Sequence, residues 1–294
     1  MKATVIIAIR LLALTVLYFV CFAAVSAALL PAPSEQPATV QAGAALVALL
    51  AVSLLTTLVL GYVILRSRWA GWKLVFATFL VFYGVMTVMP QIETAFFVTL
   101  PPSMLPRLFL SGAIITALVS SLAVLILGKR RSSPTESNRP SRLDMPVGEW
   151  FGKLSLIVIA YLVIYFTFGY FIAWKSAAVR TYYGGSDPGS LLAQMRSVVR
   201  DTPLLLPLQA VRAILWTVIA VPVIRMMKGE WWEAGLAVAL LFAVTSSQLL
   251  LPNPLMPQEV RMVHLLETAT SNFLFGWLIV LILRGWRQSA SESA

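Results

Sequence analysis

The feature that most restricts this chain is a series of eight long apolar runs that are almost free of charge. A helix needs about 20 apolar residues to cross a roughly 30 Å hydrocarbon core. Lipid offers backbone N–H and C=O groups no partner, so runs that cross it must be helical or closed into a barrel. Six runs are clean: Leu11 to Leu30, Ala44 to Leu65, Leu74 to Met89, Leu108 to Leu127, Leu154 to Trp174 and Ala234 to Leu251. Leu208 to Met227 contains Arg212 and Pro222, and Val263 to Leu283 opens with His264 and Glu267. Both still qualify, because an Arg near a boundary can carry its head to the interface and neighbouring groups accommodate a membrane Pro. The expected fold is an all-α polytopic membrane protein with about eight transmembrane helices.

Composition removes the alternatives. With 59% hydrophobic and 12% charged residues, a water-soluble globule is excluded. Lys2, Arg10 and the small residues after the first run imitate a secretory signal, but a cleaved signal has an apolar core of about 7 to 15 residues and this one is longer. It reads as a retained first span. One Cys and one His exclude an intrachain disulfide, a thiolate zinc cluster and bis-histidine haem. Cys21, in mid-span, reads as a small apolar side chain. No phosphate-binding loop, dinucleotide fingerprint or calcium loop is present, so no cofactor is expected.

Basic residues set the expected orientation. With the N-terminus cytoplasmic, inside segments hold 15 of the 22 Lys and Arg residues, and most of the rest fall in one long outer loop. Trp69, Trp72, Trp150, Trp231, Trp232 and Trp286 then lie at the inner boundary, where amphipathic rings prefer to sit. The expectation is a plasma (inner) membrane protein with both termini cytoplasmic. Basic loops against anionic lipid account for the net charge of +10, so the expected partner is the bilayer and no nucleic acid is needed.

The chain divides into a first four-helix half over 1–128, a Ser-, Pro- and Arg-rich cytoplasmic linker over 129–150, and a second half over 151–294 with an outer loop at 175–203. The halves share a faint pattern. Arg66 and Trp72 precede the third run, and Arg225 and Trp231, equally spaced, precede the seventh. Ile92-Glu93-Thr94-Ala95 and Leu266-Glu267-Thr268-Ala269 then match closely. Duplication would give two parallel repeats related by an axis along the membrane normal. In the outer loop, Leu191, Leu192, Met195, Val198 and Val199 share one helical face, with Arg196 and Arg200 elsewhere. That is the pattern of a surface helix, or of a lid.

Chemistry concentrates at the start of the eighth run. Arg261, His264, Glu267, Thr268 and Ser271 gather on one side of a helix, with Asn272 at its edge. Ionisable groups inside the apolar zone cost a few kcal/mol each, so they should face protein or water and be partnered. Glu267 is expected roughly 10 Å below the helix start. Two readings compete: polar glue between spans, and a proton, cation or headgroup site. Glu93 follows Pro90 in what reads as a short helix before Pro101, with its depth open and Arg107 a candidate partner.

The resulting candidate site is Glu267, His264, Glu93, Arg261, Ser271 and Asn272, with Glu93 and Glu267 expected to share it. A metal held by Glu93, His264 and Glu267 is chemically sensible but rests on a low-specificity spacing, so no metal is assigned. No G-x-S-x-G surrounds any Ser. The leading expectation is a non-enzymatic protein handling a small solute, ion or lipid through an outer-leaflet polar cavity. The alternatives are an intramembrane hydrolase using the Glu/His pair to activate water, and a non-catalytic subunit of a membrane complex.

Overall fold

The computed structural model describes residues 2–31, 40–98, 100–131, 143–253 and 256–284. Helix accounts for 83% of it, with no strand among the described residues. Eight helices are long and apolar enough to cross a membrane: Thr4–Leu29, Gly43–Leu65, Gly71–Phe97, Met104–Ile126, Val147–Ala173, Leu205–Met226, Trp231–Leu250 and Gln258–Arg284. Each coincides with one expected run, so the chain is an all-α, multi-pass integral membrane protein. Residues 132–142, half of the expected 129–150 linker, lie outside the described residues.

The chain folds as two compact units. The first comprises Met1–Pro140 with Met226–Gly229 and Leu250–Pro254, and the second Ser141–Arg225 with Glu230–Leu249 and Leu255–Ala294.

In the first unit α1 (Lys2–Leu29), α2 (Val40–Leu65), α3 (Gly71–Tyr83), α4 (Met89–Phe97) and α5 (Met104–Ile126) form four spans. The fourth span, α5, packs against both α1 and α3, and α1 also against α2. Small residues and hydroxyls make these approaches, as expected where lipid supplies no hydrophobic drive between helices. A Cβ on Gly61 would strike the Leu11 side chain, and the Thr15 and Thr57 hydroxyls meet at 2.7 Å. At one end Ser67 bridges Met227, and Lys129 Nζ donates to the Ser67 carbonyl at 2.6 Å.

The third span is longer than its sequence suggests, because Pro90 does not open a separate helix. A π-helical turn, Gly84–Val88, joins α3 to α4, with the Met89 N–H donating to the Gly84 carbonyl. Pro90 follows at the first turn of α4, where its missing N–H is tolerated. Glu93 therefore rides the last turns of a continuous span.

The second unit holds α6 (Val147–Phe168), α7 (Ala177–Tyr183), α8 (Leu191–Asp201), α9 (Leu205–Met226), α10 (Trp231–Val244) and α11 (Gln258–Arg284). A second π-helical turn, Gly169–Ala173, completes the span begun by α6. α11 packs along α10 and also against α6 and α7. The α10–α11 contact is close because Ala237, Ala239 and Gly276 are small and buried. Tyr161, Trp216, Phe242 and Phe275, one from each span, stack into the core of this unit, with ring centroids 4.2–6.4 Å apart.

α8 carries the expected amphipathic pattern, but Gln194 is the residue it buries, while Leu192 and Val199 are exposed. Leu191, Met195 and Val198 are half-buried beside Gln194, so the helix leans part of its apolar face on its own unit and leaves the Leu192–Val199 edge outward, as for a helix at a lipid surface.

Topology gives a direct test. With Cys21 replaced by Ala, a cysteine at the exposed Ser186 is expected to react with an impermeant maleimide in intact cells. A cysteine at the exposed Asp144, one span away, should react only after permeabilisation. Equal labelling of both in intact cells would remove the eight-span topology.

Candidate functional site

Five of the six candidate residues lie on α11, in the second unit, and Glu93 lies on α4, in the first. α11 begins at Gln258, directly after Pro257, five residues earlier than its apolar run. Glu267 is therefore nine residues along the helix, about 14 Å from its start rather than 10 Å.

Residues three apart on a helix are neighbours. His264 Nδ1 lies 2.7 Å from Glu267 Oε2, with side-chain exposures of only 18% and 13%. A carboxylate acceptor at Nδ1 makes that nitrogen the N–H donor and leaves Nε2 as acceptor in the neutral ring. The Tyr183 hydroxyl stands 3.3 Å from Nε2, its ring edge-on to the imidazole with centroids 5.8 Å apart. The Thr268 hydroxyl bonds the His264 carbonyl at 2.5 Å.

Local sequence explains how Tyr183 arrives. Ser176 caps the start of α7, accepting from the Val179 N–H, and Gly184 ends it in the left-handed conformation at φ 69°. Val179 packs with Ala173 and with Val260 of α11. This fixes the short helix over the beginning of α11 and puts its last residue above His264.

The other face of Glu267 is closed by glycine. A Cβ on Gly169 would lie 3.5 Å from Glu267 Oε1, so the carboxyl rests against the first residue of the π-helical turn. Such turns recur at functional positions because they interrupt the regular carbonyl ladder.

The chain between α7 and α8 is clasped rather than loose. The Tyr170 hydroxyl donates to the Gly189 carbonyl at 2.9 Å, and Arg180 donates to the Trp174 carbonyl at 2.6 Å. The Gly189 N–H, donating to Asp187, holds that carboxyl below its ordinary range, with Lys175 and Arg180 adding to the effect. A lowered carboxylate pKa contributes stability above its unfolded value and loses it as pH falls through the folded one. The contribution of Asp187 is therefore present at neutral pH and is lost in acid.

The remaining candidates are placed differently. Arg261 is buried on the turn before His264, and its Nη1 donates to the Leu249 carbonyl at 3.0 Å. Ser271 bonds the Thr268 carbonyl of its own helix at 3.4 Å, and Asn272 is half-buried beside it. Glu93 is half-buried in its own unit. The two E-T-A stretches fall on the third and fourth spans of their halves, so they are not equivalent positions of a four-plus-four duplication. Among the described residues, no group of three or more His, Cys, Asp and Glu side chains is assembled to hold a metal ion.

Two polar groups, Tyr183 and Arg212, take positions that were not legible in the sequence. Tyr183 lies 81 residues before its partner and carries no local signal. Arg212 read as a snorkelling residue, yet it is buried, its Nη1 donating to Gln209 Oε1 at 2.7 Å. Its signal was present, because a charge in mid-span is a functional candidate by default. Comparison of the chain with family models, curated proteins and solved structures finds no match.

Proposed function

We propose that this protein moves a small solute or lipid across the plasma membrane in step with protons, with both termini cytoplasmic and the 174–204 segment outside. The observation that carries the reading is the line Tyr183, His264, Glu267, with separations of 3.3 and 2.7 Å, inside the first turns of an apolar span. Tyr183 is exposed at the loop side while Glu267 lies deeper and nearly closed from solvent. A proton delivered to Nε2 and released from Nδ1 passes through the imidazole without the ring leaving its place. Glu267 is the acceptor, and its protonation state is the coupling variable.

Water activation by His264, the hydrolytic alternative, needs a free ring nitrogen, and both are engaged here. That favours relay over hydrolysis. The fourth span packing on the first and third in each unit supports two like halves, although the E-T-A match does not mark equivalent positions.

The test is flux. Purified protein is reconstituted into vesicles holding a pH-sensitive dye, and gradients of small cations, carboxylates, zwitterions and single-chain lipids are imposed in turn. At least one class is expected to move protons faster than in empty vesicles. No difference for any class from empty vesicles, with the pH gradient imposed in either direction, would overturn the proposal. Tyr183→Phe, which removes only the hydroxyl, is expected to slow coupled flux several-fold at unchanged thermal stability.

A further inference from the structure

At one end of the first unit, the cytoplasmic end in the proposed topology, α5 stops on a glycine. Gly128 takes the left-handed conformation at φ 77°, and the Lys129 N–H donates back to the Val124 carbonyl at 3.0 Å. A helix ending this way presents carbonyl oxygens and the negative end of its dipole. Arg10 of α1 meets that end. Its guanidinium lies over Gly128, where a Cβ would stand 3.0 Å from Nη1, and Nη1 donates to the Leu127 carbonyl at 3.5 Å. The chain after the glycine then crosses to the start of α3, where the Gly71 N–H donates to the Lys129 carbonyl at 2.8 Å. Two residues of chain, at most about 7 Å, separate those two carbonyls. Lys129 turns its own ammonium to the Ser67 carbonyl, while Lys73 stands over the Trp69 ring at 4.3 Å. Arg10, Lys73, Arg130 and Arg131 are thereby gathered on one exposed shelf.

The shelf has no counter-charge in its own unit. The single carboxylate among the described residues there is Glu93, twenty-two residues beyond Gly71 on the same span and so roughly 33 Å away. One long bond to a carbonyl leaves most of the Arg10 donors unused. The level matters as much. Val5, Ile6, Ile7 and Ile9 are apolar and exposed, so hydrocarbon reaches the first turns of α1. Arg10 stands eight residues from the start of that helix, about 12 Å along it. A cation at such a level either extends to the interface or is met by an anion, and this one is turned onto the end of α5 instead.

We propose that Arg10, Lys73 and Arg130 form a binding site for the headgroup of an anionic phospholipid. The bilayer itself carries this anion to the shelf. The planar guanidinium fork suits two phosphate oxygens, and the neighbouring cations add point charge. Leu125 of α5, exposed below the shelf, continues it as apolar surface for the acyl chains. The site stands independently of the transport reading.

The test is thermal unfolding of the full chain in detergent, followed through tryptophan emission at constant ionic strength. Dioleoyl phosphatidylglycerol, dioleoyl phosphatidylcholine or inorganic phosphate is added. Phosphatidylglycerol is expected to raise the unfolding temperature by several degrees, saturably, as ligand linkage requires. Phosphatidylcholine should have little effect. Arg10→Gln should raise the half-saturating lipid concentration at least about tenfold, and Lys73→Gln several-fold. Arg107→Gln, which removes an equal charge at the other end of α5, should match wild type. If Arg10→Gln does not fold, Arg10→Lys decides, since it keeps the charge and loses the fork. Half-saturation unchanged in Arg10→Gln, or in Arg10→Lys where the former does not fold, overturns the site. So does a non-saturable response or equal protection by phosphatidylcholine. Inorganic phosphate matching the lipid at equal concentration assigns the shelf to a free anion and overturns the lipid.

Discussion

Leucine at position 276 is expected to leave the second unit unfolded. A Cβ on Gly276 would stand 2.8 Å from Ala239 Cα, 2.9 Å from the Ala239 nitrogen and 2.9 Å from the Val238 carbonyl oxygen. All three are backbone atoms, so no rotamer change relieves the clash, and α10 and α11 must separate. Alanine alone should cost about 1–3 kcal/mol, the range for overpacking. Leucine adds a branched side chain to an interface that tolerates no Cβ, and its cost should exceed about 4 kcal/mol. That is a large share of a typical total stability of about 5–15 kcal/mol. Gly148 provides the control, because a Cβ there meets nothing within 4 Å. Thermal unfolding in detergent checks both: Gly148→Leu should match wild type, and Gly276→Ala should unfold several degrees lower. An unchanged midpoint for Gly276→Ala would mean that the two spans are not in backbone contact.

Glu267→Gln is expected to remove proton-coupled flux while leaving the fold intact. The amide keeps the size of the carboxyl and can still accept from His264 Nδ1, so packing against Gly169 is preserved. It cannot take up a proton. If Glu267 is the coupling group, flux should fall at least about 100-fold, as for removal of a positioned acid–base group. His264→Gln should produce a similar loss, since neither amide atom can pass a proton between Tyr183 and Glu267. Stability then separates function from polar glue. As glue, the two side chains would show their worth in a double-substitution cycle, with a coupling of about 0.5–3 kcal/mol in unfolding free energy and no special sensitivity of flux. A Glu267→Gln protein that transports at the wild-type rate ends the relay proposal.

The sequence alone determined the number of spans and the middle of each, while ends such as those of the first, third, fifth and eighth lie five to eight residues beyond the apolar runs. The reason is that hydrocarbon thickness and backbone satisfaction act on each helix separately, so a run of about 20 apolar residues is informative without its neighbours. It also put His264 within reach of Glu267, because a three-residue spacing on a helix is local geometry, with Arg261 on the same face left as the other partner until the structure paired Glu267 with His264. Only tertiary structure decided the rest. Pro90 continues a span because the preceding π-helical turn receives it, and whether such a turn forms depends on how α3 is packed. Arg212 turns inward and donates to Gln209, whose oxygen also accepts from Tyr161 of another span, whereas a single helix viewed alone favours sending the charge to the interface. Tyr183 reaches His264 because α7 buries Val179 against Val260, a contact between segments 81 residues apart that no local pattern encodes. Spans follow from the solvent each helix meets by itself, but partners inside the membrane follow from which helices are neighbours, and lipid-like surfaces leave that choice to close packing of small residues such as Gly276 and Ala239.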